Sequence, residues 1–404
     1  MNVLEVNEIL DAIDQNRALA VLQRLVRINS VNPPGHERLL TDYIAEVFEK
    51  SGLLTKKYPL DTERENLTLT LHGAESSPSV PRKSLVFSGH LDTVPLGNVP
   101  WQEDPWGAHV LEGKLYGRGA SDMKSGVAAM IMALETIAQS GIRLKGDLTF
   151  LGTAGEEVDG RGAKWAIHEG SVSAATALVI GEPTNNQLLI AHKGVLWLEI
   201  TIQGKTAHAG WPDKGVNAIS AMHQFINELG KSDPIHDKIL GNSTVNLGLI
   251  DGGIAPNMVA DSCRLAIDCR TVPGLEAEAI HARTQAILTA LSGKMEISYD
   301  IKVLNDMHFV STSQDDPFIQ LSADVLRKTL HAEATFGGAN YYSDGSQFTV
   351  ENEHLPILIF GPGHPDQAHQ PDEWVDLNHF YDAIRYYAAL AIRYLGVEQE
   401  SAGK

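Results

Sequence analysis

Short apolar runs closed by Gly, Pro or a polar residue alternate with longer stretches of helical period along most of the chain. KSLVFSGH (83–90), GDLTFLGTAGEE (146–157), ATALVIGEPT (175–184) and, far downstream, HLPILIFGPG (354–363) read as strands. Between them, SDMKSGVAAMIMALETIAQSG (121–141) reads as a helix, with Ser121 or Asp122 able to cap its start and Gly141 its end. Two further helices are expected around SVNPPGHE (30–37), a Pro/Gly loop, and HGAESSPSVPRKS (72–84) reads as a turn or exposed loop. Continuously apolar strands alternating with helices predict an α/β sheet buried on both faces.

The rhythm changes after Gly194. GVLWLEITIQG, VNAISAMHQFINELG, STVNLGLIDGG, DSCRLAIDCRTV, LEAEAIHARTQAILTALSG and KMEISYDIKVL run strand, helix, strand, strand, helix, strand. That βαββαβ order predicts a ferredoxin-like domain inserted in the larger unit. The expected division is residues 1–190 and 305–404 for the larger domain and 191–304 for the insert, with hinges near 190 and 305.

Composition narrows the function without naming it. A chain of 404 residues, 43% hydrophobic and 21% charged, suits two globular domains. A formal charge of −19 argues against nucleic acid or an anionic membrane as partner, though charge alone serves solubility. The two cysteines, Cys263 and Cys269, form neither a disulfide framework nor a zinc ligand set. VLEVNE is no signal peptide, and no apolar run approaches the ~20 residues that span a bilayer, so a cytoplasmic protein is expected.

Chemistry gathers where the strands end. In open α/β sheets ligands bind at the carboxyl ends of strands. Those exits carry His90 and Asp92, Glu156 and Glu157, Glu182, and His369 in GPGHPDQAHQPDEW, while Asp122 stands at a helix start. Singly, each has a bland reading: a hydrogen-bonded His, a solvated Glu pair, a helix cap, a Glu-Pro turn. Jointly they place several carboxylates and two imidazoles on one edge, which divalent cations compensate best. His90, Asp122, Glu157, Glu182 and His369 are too many for one open tetrahedral site and fit two metals with a bridging carboxylate. Asp92 is then expected to orient the His90 imidazole through its second N–H, and Glu156 to act as general base.

SGHLDTVP, GRGASDMKSG, TAGEEVDGRGA, IGEPT, GKTAHAGWPDKGVNAI and GPG…AHQPDEW resemble, in order and across both domains, the signatures of the dinuclear zinc metallohydrolases that include acetylornithine deacetylase, succinyl-diaminopimelate desuccinylase and glutamate carboxypeptidase. The resemblance implies a mixed-sheet zinc-peptidase catalytic domain with a ferredoxin-like lid. It implies Asp122 as the bridging ligand, His90 and Glu182 on one metal, Glu157 and His369 (rather than His364) on the other, Glu156 as base and Asp92 as orienting carboxylate. The ions would be zinc, with cobalt or manganese as alternatives. His208 of the lid would stabilise the oxyanion, in cis or from the other subunit of a homodimer formed through the lid. Asn257, Arg270, Gly338 and Ser343 would contact substrate. Relatives acting on aromatic or auxin conjugates carry a Cys ligand; both cysteines here fall in the lid.

The implied activity is cleavage of the amide of an N-acylated amino acid, as in acetylornithine deacetylase or succinyl-diaminopimelate desuccinylase. The rivals are a dipeptidase or glutamate carboxypeptidase type of exopeptidase and a broad aminoacylase. From other classes come a non-catalytic relative, disfavoured because every ligand and the base are present, and a phosphoesterase, disfavoured by the lack of a basic phosphate cradle.

Overall fold

The computed structural model describes residues 3–74 and 82–398, so residues 75–81 of the stretch read as an exposed loop lie outside it. The chain divides into two compact units: residues 1–191, 311–337 and 343–404 form the first, and residues 192–310 and 338–342 the second.

The first unit is built on a mixed sheet. Its path runs Leu54–Pro59, Glu65–Leu71, Asp147–Thr153, Ser84–His90, Ala177–Ile180, Ile357–Ile359, Leu188–His192 and Val310–Ser311, and Phe336–Ala339 pairs with Leu188–His192. The central strands Asp147–Thr153, Ser84–His90, Ala177–Ile180 and Ile357–Ile359 are parallel, and Glu65–Leu71 joins antiparallel. Every residue of Ser84–His90 is buried, which is why Leu85-Val86-Phe87 runs apolar without alternating. Because the central strands share one direction, His90, the 154–157 turn and Glu182 all leave from the same edge.

Helices Lys124–Gln139 and Leu377–Leu395 form the middle of the core. Burial along nearly the whole of Lys124–Gln139 explains its lack of a polar face. A Cβ on Gly126 would lie 2.0 Å from the Gly181 carbonyl, so this helix start touches the backbone just before Glu182. The expected cap is a correction: the helix begins at Lys124, after Met123, with no side-chain cap. Asp122 is engaged elsewhere, as described below. Gly141 does follow the helix with φ of +76°.

The second unit has the expected βαββαβ order: Gly194–Gln203, Ala218–Leu229, Thr244–Gly252, Ser262–Thr271, Ala277–Ser292 and Ser298–Met307. Its antiparallel sheet runs Thr244–Gly252, Ser262–Thr271, Gly194–Gln203, Ser298–Met307. The two inner strands alternate buried and partly exposed residues, and their buried set meets both helices in a separate core that holds Cys263 and Cys269 as free thiols.

The features not read from the sequence include the long helix Leu377–Leu395, the strand Leu188–His192 and two small sheets. A small hairpin joins His236–Asp237 to Gly241–Asn242. A three-stranded sheet of Trp374–Asp376, Lys114–Tyr116 and His109–Leu111 ties the chain after His369 to the chain before Asp122. Strands of two or three residues are too short to show periodicity.

Candidate active site

His90 is the last residue of its strand and is 1% exposed. Its Nε2 lies 3.0 Å from Asp122 Oδ1 and 3.8 Å from Glu182 Oε1. On the other side, His369 Nε2 lies 3.4 Å from Asp122 Oδ2 and 3.2 Å from Glu157 Oε2. One oxygen of Asp122 therefore faces each imidazole. His90, Asp122 and Glu182 form one group, and Asp122, Glu157 and His369 a second, each with donor atoms within 4.8 Å of one another. His369 adopts a φ of +64°, a conformation rare for a non-glycine residue and met often at functional sites.

The electrostatics of the cluster are unbalanced. Burial pushes Glu182 well up, and Asp122 adds to the push; burial does the same to Glu156, with Glu182 and Glu157 adding. Glu157 is raised by burial and by Asp122. Burial would raise Asp122 too, but its bonds to His369 and His90 hold it well below the usual range. His369 is pushed up to about 10 by Asp122 and Glu157, while His90, despite burial, is held well up by Asp122 and Glu182. The raised imidazoles and carboxyls show a cluster that favours proton uptake, and divalent cations would neutralise it better. The buried Glu157 Oε1 has no hydrogen-bond partner. A mixed imidazole–carboxylate donor set with an orphaned acceptor fits two divalent ions of the zinc kind.

Asp92 departs from expectation. The His90 Nδ1 meets the Asp92 backbone carbonyl at 3.0 Å, whereas its carboxylate is 3.6 Å away. The carboxylate is instead occupied by the N–H groups of Gly155, Glu156 and Glu157 at 3.1, 3.2 and 3.2 Å. It therefore holds the turn that carries Glu156 and Glu157, and the tautomer of His90 is set by main chain.

Three buried residues that sequence reading passed over support the site. Glu373 is fully buried; its carboxylate accepts from the N–H groups of Gly119, Ser121 and Asp122 at 2.9, 2.8 and 2.9 Å and from Arg118 Nη1 at 2.7 Å. It lies within the AHQPDEW motif, four residues after His369, and Arg118 lies within GRGASD; only a carboxylate and a guanidinium in two motifs hinted at the pair. Asp344 accepts from Thr153 Oγ1 at 2.5 Å, and Thr153 is the register partner of His90.

Ser343, in the first unit, is 1% exposed and its Oγ accepts from the Gly345 N–H. His208, Asn257, Arg270 and Gly338 belong to the second unit. There His208 and Asn257 are neighbours: His208 bridges to Met258, and the Ala209 N–H donates to the Asn257 carbonyl. His208 Nδ1 accepts from the Gly210 N–H at 3.0 Å. Arg270 spends Nε and Nη2 on Asp268 at 2.9 and 3.0 Å, and Gly338 lies in the strand Phe336–Ala339.

Peptidase family M20/M25/M40 matches residues 86–393. The chain belongs to that family. It is 28% identical to a protein of Staphylococcus epidermidis named probable succinyl-diaminopimelate desuccinylase, over 93% of this chain and 97% of that one. It is 34% identical to acetylornithine deacetylase of Proteus mirabilis, over 72% and 75% of the two chains. Among solved structures, aminopeptidase PepT of Bacillus cereus superposes with a TM-score of 0.76 at 21% identity, covering 94% of this chain and 98% of that one. A dinuclear metal-binding M20 peptidase of Bacillus subtilis does so with 0.73 at 17% identity, covering 94% and 98%. The M20 fold, a catalytic domain with an inserted lid, is thus the fold of this chain, and the protein is a metal-dependent hydrolase. No helix among the described residues is long and apolar enough to cross a membrane.

Proposed function

We propose that this M20 hydrolase removes the acyl group from an N-acylated amino acid, in the manner of acetylornithine deacetylase and succinyl-diaminopimelate desuccinylase. The carrying observation is Asp122, one carboxylate oxygen toward His90 and the other toward His369. The relatives' names support the substrate class.

His90, Asp122 and Glu182 would hold one divalent ion and Asp122, Glu157 and His369 the other, zinc by preference for this donor set. When bound, such ions supply Lewis acidity, lowering the pKa of water and polarising a carbonyl. Glu156, buried beside Glu157, takes a proton from the attacking water and gives it to the leaving nitrogen. The new C–O bond forms first, turning the carbonyl oxygen into an oxyanion; its collapse then breaks the C–N bond and releases a carboxylate and a free amine. His208 serves the oxyanion: with Nδ1 accepting from Gly210, its proton sits on Nε2 and is free to be donated. Asn257, Arg270, Gly338 and Ser343 are the substrate contacts in this reading. Asp268 fixes the plane of the Arg270 guanidinium, and Nη1, held only by the Asn340 carbonyl at 3.5 Å, would turn to the substrate carboxylate.

A homodimer through the second unit belongs to the proposal. Thr244–Gly252 is an edge strand exposed along its whole length, with Val245, Leu247, Leu249 and Ile250 at 51, 47, 69 and 61% exposure. An apolar open edge of this kind is what a second copy would cover. Light scattering after size exclusion tests it; a monomer throughout would refute both the dimer and any role of His208 in the partner's site. A cytoplasmic location is also part of the proposal.

The deciding experiment is a chromatographic screen of zinc- or cobalt-loaded protein against N-acetylornithine, N-succinyl-diaminopimelate, other N-acyl amino acids and dipeptides, each with a chelated control. One strongly preferred N-acyl amino acid, lost on chelation, supports the proposal. Preference for dipeptides would replace it with the exopeptidase reading. Glu156→Gln should lose at least ~100-fold in kcat with metal content unchanged; near-normal turnover would remove Glu156 from the role of base.

A further inference from the structure

The loop Ser30–Glu37 takes no part in the function just described, yet it reaches the site. Ser30 Oγ donates to the Leu91 carbonyl at 2.7 Å, the Thr93 N–H donates to Ser30 O at 3.1 Å, and the Asn32 N–H donates to Thr93 O at 2.8 Å. Val31 and Thr93 form a parallel bridge. The loop is thereby laid alongside Leu91–Thr93, and Asn32, 2% exposed, comes to face Asp92. Its Nδ2 donates to Asp92 Oδ2 at 2.8 Å, the shortest of the four bonds that the carboxylate receives. The amide's orientation is set by its other end, where Oδ1 accepts from Arg64 Nη2; a guanidinium can only donate, so the NH2 group must face Asp92. Arg64 is in turn tied to the same loop, its Nε donating to the Pro34 carbonyl at 3.0 Å.

We propose that Asn32 is a positioning residue for the general base. It fixes the plane of the Asp92 carboxylate, and that plane fixes the Gly155–Glu157 turn through three main-chain N–H groups. Asp92 Oδ1 is shared by Gly155 and Glu156, while Oδ2 is shared by Glu157 and Asn32. Without Asn32, Oδ2 keeps only the Glu157 bond, and the carboxylate is held by nothing but the N–H groups of the turn it positions, so carboxylate and turn can shift together. The turn would then lose register with His90 and Asp122, which are held by separate elements. Catalytic distances tolerate little such motion: a displacement of about 1 Å costs on the order of 100-fold.

The inference rests on the reading of Glu156 as base, so the experiment tests the two separately. In the metal-loaded full-length chain, Asn32→Ala and the isosteric Asn32→Asp are compared with the unaltered protein and with Glu156→Gln, using the best substrate of the screen. Asn32→Asp preserves volume and the bond from Arg64 but sets an acceptor against an acceptor. Expected is a fall in kcat of ~10–100-fold for Asn32→Ala and more for Asn32→Asp. KM should stay within about threefold and two metal ions should remain bound, because neither variant removes a ligand. Hydrogen exchange should quicken at the amides of residues 155–157. It should stay unchanged at Ala154, whose N–H is held by Asn66. Activity in Glu156→Gln would sink the base assignment and this inference with it. With Glu156→Gln inactive, either of two results overturns the inference alone: kcat of both Asn32 variants within threefold of normal, or loss of metal in step with activity.

Discussion

Replacing Glu373 by Gln tests how the site is held. Glu373 and Arg118 form an ion pair in which both side chains are almost wholly shielded, at 0% and 1% exposure. The substitution leaves the guanidinium with the Gln370 and Pro95 carbonyls at 3.2 and 3.3 Å and the face of Trp101, but no counter-charge. Breaking one side of a buried pair costs about 3–5 kcal/mol. Against a total of about 5–15 kcal/mol, that is a large fraction. A second loss is local: the N–H groups of Gly119, Ser121 and Asp122 converge on this carboxylate, and an amide offers them one acceptor oxygen where they had two. The turn bearing Asp122 should loosen, and metal affinity should fall by ~10–100-fold. Urea unfolding of the metal-free protein gives the first quantity and competition with a chelator the second. Removing both charges in Arg118→Met/Glu373→Gln separates them. Stability should recover in large part, since no orphan charge remains, but metal affinity should stay low, since the three N–H groups still lack their carboxylate. A single variant within about 1 kcal/mol of the original and with unchanged metal affinity would refute the reasoning.

Metal binding at pH 7 should release protons, because His369, raised to about 10, holds a proton that ligation must displace; calorimetry in buffers of different ionisation enthalpy measures the count, and a count of zero would contradict the ligand assignment. Gly126→Ala should destabilise strongly, by about 3 kcal/mol or more, because its Cβ would lie 2.0 Å from the Gly181 carbonyl; thermal unfolding no different from the parent would mean that the helix shifts freely. Burial, then the charge of Asp92, push Glu37 from an ordinary 4.5 up to about 7. The fold favours its neutral form, so ionisation costs stability as pH rises from 4.5 to 7 and the cost is constant above. Glu37→Gln should therefore gain on the parent by up to about 3 kcal/mol between pH 4.5 and pH 8, and a difference that does not vary with pH would show that Glu37 is not so perturbed.

The sequence by itself determined the central strands and the βαββαβ insert, and it named the residues proposed to carry the chemistry. Uniformly apolar runs such as Leu85-Val86-Phe87 call for a strand covered on both faces, and alternating ones such as Leu196-Trp197-Leu198 for a sheet with one covered face. His90 and Glu182 were legible because they stand at or just past strand ends, and Asp122, Glu157 and His369 because they lie in the short connections between elements, in motifs that could be compared as a set. Tertiary structure decided which polar residue answers which. Asp122 looked like a helix cap and is engaged with two imidazoles; Asp92 looked like the partner of its near neighbour His90 and holds Gly155–Glu157 instead. Asn32 and Glu373 carried little local signal, because their partners lie 60 residues away at Asp92 and 251 to 255 residues away along Arg118–Asp122. A hydrogen bond is satisfied by distance in space, and periodicity along a chain records only which side of an element is buried. Which donor meets which acceptor across that buried space is fixed when the strands and short edge sheets close.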